Sequence, residues 1–456
     1  MSAPTVTILF EGRPLACRPD QTLAAALWNH GIRVLSRSPK YGRPRGVTCA
    51  RGHCTGCLVR VDGVPNVRAC RTVVRDGMRV ERQDSGAWYG PALQKVLSAG
   101  GDLFPVGFYY RWFTRPPAVS RLFLRSLRPL AGIGRLPDPA RWSPAADVPP
   151  PEDLGEVPLL VAGSGPAGLR AAVAAAQAGT AVTLVDAVDR PGGHRRLALD
   201  AVAERRPGLL AKLPPLAAWR DGLARLAADA RDAGVAFRGG CRVVGAWPSG
   251  HLLLRERAAD GERLLQVHAG RLVWAAGAFD RTPLFDDADR PGVVGPRAVY
   301  RLLGRDGLDV DGAAAVVWGD GPDAWLSAAL LAAAGARVTL APDGDADPAL
   351  LAAAQRLGWT LHTGCRPARA VSRGGALAAL ELAGAGATVR VPCDLAVVAA
   401  PGVPAYDVPQ QMGAELVLDP SRGGYVPRDP DGTPGLAVTG EAAGEPPAAL
   451  LQEVTA

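Results

Sequence analysis

Apolar and polar positions alternate through TVTILFEGRPLACRP (5–19), which predicts two strands around the turn Glu11-Gly12-Arg13-Pro14. The period then lengthens. QTLAAALWNH (21–30) carries helical spacing, with Asp20 expected as the N-cap and Gly31 as the left-handed stop. Strand, turn, strand, helix and a glycine-rich loop is the order of a small β-grasp domain, expected at 1–85. No regular period appears from 86 to 156. That stretch holds FPVGFYYRWF (104–113), with six of the chain's 25 aromatic residues, and PDPARWSPAADVPPPEDLGEVP (137–158), whose seven prolines predict a stiff extended linker. From 157 onward short β-rich runs alternate with Ala/Leu-rich helical segments, the signature of parallel α/β sheets. Two units look alike, 157–186 and 313–342, each a strand, a glycine-rich turn, a helix and a strand. The expected class is therefore α/β: an α+β N-terminal domain followed by two Rossmann-like, doubly wound domains. The first is expected at 157–290 and 393–456, the second at 291–392.

Composition narrows the setting. The N-terminus reads as a strand rather than a basic and apolar leader, and no apolar run reaches the ~18 residues of a transmembrane helix. A cytoplasmic, reducing location is expected, where clustered cysteines bind metal or do redox chemistry rather than form disulfides. The net charge of +7 is carried almost wholly by arginine spread along the chain, with lysine only at 40, 95 and 212. This reads as a solvated surface, not a nucleic-acid footprint.

Within RGVTCARGHCTGCLV (45–59) and just beyond it, Cys49, Cys54, Cys57 and Cys70 stand in a C-x4-C-x2-C-x12-C pattern. Four thiolates suit a [2Fe-2S] cluster, and Gly46, Gly52 and Gly56 let the loop curl so that N–H groups face sulfur. A zinc site on the same cysteines and a pair of disulfides remain open, although zinc ribbons present two C-x2-C knuckles and only one is found here. Cys17, Cys241, Cys365 and Cys393 are isolated and read as inert core residues.

In GSGPAG, Gly163, Gly165 and Gly168, with Pro166 and Ala167 between the last two, follow an apolar strand and open a helix. A dinucleotide diphosphate can rest on that helix N-terminus, and Asp186 closes the next strand where a carboxylate holds an adenosine ribose. Gly192 and Gly193 bring a second loop close to the cofactor. Ala276 and Gly277, and Gly440 and Glu441, follow apolar strands where backbone passes near a flavin or nicotinamide. The second turn, 319–324, carries Asp320 where phosphate would sit, and its following strand ends at Ala341 without a carboxylate, so it is expected to fold and stay empty. The six histidines show no metal-ligand spacing, His194 beside the Gly192-Gly193 loop being the nearest to a base, and no catalytic residue is identified.

LFPVGFYYRWFTRPP, LRPLAGIGRLPD, SPKYGRPRGV, GSGPAGLRAA, DRPGGH, AAGAFDRTPLF, RPGVV and TGEAAG together resemble the large (alpha) subunit of heterotetrameric sarcosine oxidase. The four cysteines instead resemble the ferredoxin-like component of hydrogen cyanide synthase and of opine or hydroxyproline dehydrogenases. The chain thus looks like a fusion of those two components. The fold implied is of the pyridine nucleotide-disulfide reductase type. The resemblance implies FAD, or NAD or ATP, in the first nucleotide site and FMN at a subunit interface. It also implies a D-amino-acid-oxidase-like, FAD-containing beta subunit that oxidises a small amine or amino acid, with further small subunits. Glu441 stands where such flavoproteins carry Asp, and Asp186 where they carry Glu. The sequence ends at Ala456 without a folate-binding domain, so folate-coupled demethylation is not expected. An NAD(P)H-dependent reductase that works alone and a structural scaffold are the rival readings. The segment 104–113 is expected to pack between domains or against the partner, and its flanking arginines offer a lesser, membrane-surface alternative.

Overall fold

The structure is a computed structural model that describes residues 5–38, 42–83, 115–130, 149–258, 261–344, 346–449 and 452. The aromatic segment 104–113 lies outside the described residues. The first unit is a five-stranded sheet in the order Arg13–Cys17, Val6–Phe10, Arg79–Arg82, Leu58–Val61, Val64–Arg68. The strands Val6–Phe10 and Arg79–Arg82, first and last along the chain, run side by side in parallel, with Leu9 opposite Arg79, which is the closure of a β-grasp. The helix Leu23–Asn29 buries Leu23, Ala24, Ala25, Ala26, Leu27 and Trp28 against it.

That helix starts two residues later than the sequence suggests. Thr22, not Asp20, is the N-cap, its hydroxyl accepting the Ala25 N–H at 3.4 Å. Asp20 turns to Arg18 instead (3.3 Å), while Gln21 accepts the Arg18 N–H, so the residues before Thr22 form their own turn. The helix stops as expected, with Gly31 at φ +75°.

A strand begins at Glu152 inside the proline-rich stretch and runs to Ala162, so only the part before it is available as a linker. This strand enters a seven-stranded sheet in the order Ala236–Arg238, Val182–Val185, Glu152–Ala162, Gly261–Trp274, His251–Ala258, Cys241–Ala246, with Leu436–Val438 also pairing Gly261–Trp274. A second, all-parallel sheet is ordered Val293–Val294, Leu395–Val398, Ala314–Trp318, Arg337–Ala341, Thr360–Leu361. Leu395–Val398 is thus a strand of the second sheet. The chain returns to the domain of the seven-stranded sheet after it, through Val403–Pro404 pairing Ala278–Phe279, rather than at 393. The helices Pro166–Gln177 and Pro322–Ala333 each follow a glycine turn at the carboxyl end of a parallel strand, the position where doubly wound sheets bind ligands.

One buried apolar cluster joins Ile8, Leu27 and Val59 of the β-grasp unit to Leu199, Leu302, Trp325 and Leu340 of the α/β region. The cysteine loop is consequently fixed against the nucleotide-type sheets.

Candidate functional site

Cys49 lies on the loop leading into Leu58–Val61, and Cys70 on a short turn after Val64–Arg68, so the sheet pairing of those two strands brings the fourth cysteine back to the first three. The thiols meet two by two. Cys54 neighbours Cys49, and Cys70 neighbours Cys57. In each pair one thiol is held toward thiolate by its neighbour, Cys49 at about 4 and Cys57 below the ordinary thiol range, while the other is pushed up. The Arg51 and Cys54 N–H groups each donate to the Cys49 sulfur at 3.4 Å. Among the described residues no three Cys, His, Asp or Glu side chains converge as a one-ion site requires. Two thiol pairs with backbone donors between them fit a two-iron cluster, which Cys49, Cys54, Cys57 and Cys70 would hold. The loop closes on itself so tightly that a Cβ on Gly56 would stand 2.4 Å from the Gly46 carbonyl oxygen. All eight cysteines are free thiols.

The nucleotide-type turn is built in the same way. Gly163 holds φ +108°, and a Cβ on Gly168 would stand 1.8 Å from the Gly163 carbonyl oxygen. A Cβ on Gly165 would meet nothing within 4 Å, because that face is open to the cleft. Gly192 donates to the Ser164 carbonyl at 2.8 Å, which sets the Gly192-Gly193 loop directly over the turn. Asp186 accepts from the Ser164 N–H (2.5 Å), the Ser164 hydroxyl (2.7 Å) and the Val188 N–H (3.0 Å), so its carboxylate is fixed at the lip of the turn.

Around them lies a cleft lined by Gly163, Gly165, Pro166, Ala167, Asp186, Gly192, Gly193, Ala276, Gly277, Gly440 and Glu441; Gly168 packs behind the turn. Sheet order sets its direction. Asp186 follows Val182–Val185, the glycine turn follows the neighbouring Glu152–Ala162, and Ala275–Ala278 follows Gly261–Trp274 one strand further on. At this last side stand residues that the sequence did not offer as part of a nucleotide site. Arg51 and His53 of the cysteine loop line the cleft, Arg51 donating to the Ala278 carbonyl at 3.4 Å and His53 meeting the Phe279 ring edge-on at 4.8 Å.

Beneath the cleft lies a buried ion network that the sequence did not reveal. Arg195 pairs with Asp323 (2.8 Å) and Glu441 (3.0 Å), and Arg297 with Glu441 (2.6 Å) and Asp280 (3.0 Å). Burial alone would raise the Asp323 and Glu441 carboxyls, but Arg195 and Arg297 outweigh it and hold both below their ordinary range. Glu441 lines the cleft, yet both its oxygens are taken by arginine. His194 stacks on Tyr300 at 5.9 Å, its Nε2 is buried without a partner among the described residues, and burial followed by the charge of Arg297 keeps the ring neutral.

At the second glycine turn, Asp320 accepts the N–H groups of Asp343 (2.6 Å) and Gly344 (3.2 Å), and Asp323 at the head of the helix is committed to Arg195. Two carboxylates thus stand at this turn, where the first has none.

Residues 3–85 match the 2Fe-2S iron-sulfur cluster binding domain, and residues 157–445 match the pyridine nucleotide-disulphide oxidoreductase family. Sarcosine oxidase subunit alpha of Rhizobium meliloti is 31% identical over 333 residues, 66% of this chain and 31% of that protein. Hydrogen cyanide synthase subunit HcnA of Pseudomonas aeruginosa is 41% identical over 85 residues, 19% of this chain and 81% of that protein. The chain thus spans about a third of the length of the sarcosine oxidase subunit it matches. The crystal structure of L-proline dehydrogenase from P. horikoshii has the same fold, with a TM-score of 0.60 and 18% identity over 100% of this chain and 72% of that one. No helix among the described residues is long and apolar enough to cross a membrane.

Proposed function

The chain belongs to the pyridine nucleotide-disulphide oxidoreductase family, with a [2Fe-2S] domain ahead of it, and on that premise we propose that it is the electron-transferring large subunit of a heteromeric amine or amino-acid dehydrogenase or oxidase. In this reading a D-amino-acid-oxidase-like partner carrying FAD oxidises the C–N bond of a small amine or amino acid. Electrons then leave through FMN at the interface and the [2Fe-2S] cluster, within a reducing compartment such as the cytoplasm. The cluster, held by Cys49, Cys54, Cys57 and Cys70, supplies one-electron transfer when bound. Gly163, Gly165 and Gly168 cradle a diphosphate, Asp186 receives the ribose, and Arg51 and His53 cover the far side of the cleft. FAD, NAD and ATP share the phosphate chemistry that this cleft suits.

The single observation that carries the reading is the roof of the cleft: the loop that binds the cluster is also a wall of the dinucleotide site. A second observation points to a partner as the electron source. Asp320 and Asp323 put two carboxylates at the second glycine turn, which weighs against a phosphate there, and the oxidoreductase region holds only the isolated, buried cysteines 241, 365 and 393, which form no dithiol pair.

The test is co-purification from the native host, followed by denaturation and assay of released flavin and iron. A flavin-containing second polypeptide is expected, together with no NAD(P)H oxidation by the isolated, cluster-loaded chain. Steady NAD(P)H turnover by the single chain would overturn the proposal in favour of a reductase that works alone. A Cys54→Ser complex that keeps full turnover would overturn it in favour of a scaffold.

A further inference from the structure

Six arginines line the cleft, and four of them are already spent. Arg195 and Arg297 are held by Asp323, Glu441 and Asp280, Arg301 pairs with Asp306 at 3.2 Å, and Arg305 with Asp189 at 3.0 Å. Of the other two, Arg242 belongs to the strand Cys241–Ala246, and Arg51, on the cluster loop, pairs with no carboxylate among the described residues; its guanidinium meets one carbonyl oxygen, that of Ala278, at 3.4 Å. A partly buried cation facing a cleft with so little compensation is an unfavourable arrangement unless an anion completes it. The same residue touches the other cofactor site, its N–H donating to the Cys49 sulfur at 3.4 Å.

We propose that Arg51 is a dinucleotide-binding residue supplied by the cluster loop: its guanidinium receives the anionic part of the cofactor in the cleft, while its backbone holds a cluster ligand. This rests on the reading that the cleft takes a phosphate-bearing dinucleotide or nucleotide. Sheet order makes the role geometrically natural. Gly163 and Gly165 would hold a diphosphate, and Ala275–Ala278, to which Arg51 is bonded, is the next segment along the strand ends. The guanidinium offers a forked set of donors matched to phosphate oxygens, which helix N-terminal N–H groups supplement from the opposite wall. The consequence is a physical link. A ligand that draws on Arg51 pulls on the loop between Cys49 and Cys54, and a loop ordered by its cluster presents Arg51 already in place. By linkage each site then affects the other.

The experiment uses the full chain with its cluster retained and bound nucleotide removed, titrated calorimetrically with FAD, NAD and ATP as separate probes. Arg51→Gln, Arg51→Lys and Asp186→Ala are compared with the wild type, and the visible circular dichroism of the cluster is followed during each titration. For the probe that the wild type binds, Arg51→Gln is expected to weaken affinity about tenfold or more, the size of one charge-assisted hydrogen bond. Arg51→Lys is expected to recover part of it. The cluster signal should shift on saturation in the wild type and not in Arg51→Gln, a readout that a merely structural role would leave alone. Arg51→Gln binding as the wild type does while Asp186→Ala is weakened would overturn the role of Arg51 and leave the cleft reading standing. A wild type that takes up none of the three probes would end both.

Discussion

Arg297 is 1% exposed and donates to Glu441 and Asp280 in the floor of the cleft, with Arg195 and Asp323 completing the network. Such a group stabilises only as a whole, because removing one cation strands buried carboxylates. Arg297→Met is therefore expected to cost about 3–5 kcal/mol in equilibrium unfolding, far more than the loss of an exposed arginine. The sign with pH follows from Asp323 and Glu441, whose carboxyls are lowered in the fold. Their contribution is present above the ordinary carboxylate value of about 4 and is lost as pH falls below it. Thermal unfolding of the wild type should show that loss, and Arg297→Met should show less of it; an unchanged acid limb in the variant would refute the assignment. Glu441 was visible in the sequence as an acid after an apolar strand, but Arg195 and Arg297 stand 246 and 144 positions away from it and carry no motif. Pairing over such separations is written in the packing of helices, not in any local pattern.

Short elements explain where local reading succeeds and where it slips. The loop 46–57 was legible because cysteine spacing and glycine placement both answer to one local demand, a chain that curls around sulfur. Gly56 faces the Gly46 carbonyl so closely that Gly56→Ala must push the loop open. Its expected result is a lower iron and sulfide content per chain and a bleached visible spectrum, with nucleotide binding at the Gly163 turn less affected. A variant with full iron content would show that the loop is looser than its geometry implies. At the first helix the expected cap, Asp20, gives way to Thr22 because Asp20 and Gln21 satisfy Arg18 instead. The proline-rich stretch slips in the same way: strand pairing to Gly261–Trp274 captures it from Glu152 onward, although its prolines suggested a linker throughout.

At the scale of the molecule, one apolar core runs from Ile8 and Leu27 into Leu302 and Trp325, and polar bonds such as Arg33 to Asp394 (2.7 Å) and Gln21 to Gly307 (2.8 Å) cross the same boundary. Units that share a core lose it together. Thermal unfolding is therefore expected to show cluster absorbance and far-ultraviolet circular dichroism falling in a single transition. A cluster domain that melts separately, leaving the α/β signal intact, would contradict the shared core. The sequence by itself determined the chemistry of each part: four thiols at ferredoxin-like spacing, a glycine turn with a terminal acid, and alternating strands and helices of parallel sheets. These follow from contacts between residues a few positions apart, and periodicity and spacing record such contacts directly. Only the tertiary structure decided how the parts meet. It made Arg51 and His53 of the cysteine loop a wall of the cleft, and it made Glu441, which lines that cleft, the anchor of two buried arginines. It also tied Asp320 to the 343–344 loop and Asp323 to Arg195. Each outcome depends on the relative placement of sheets and helices far apart in the chain, which the shared core sets and no local pattern encodes.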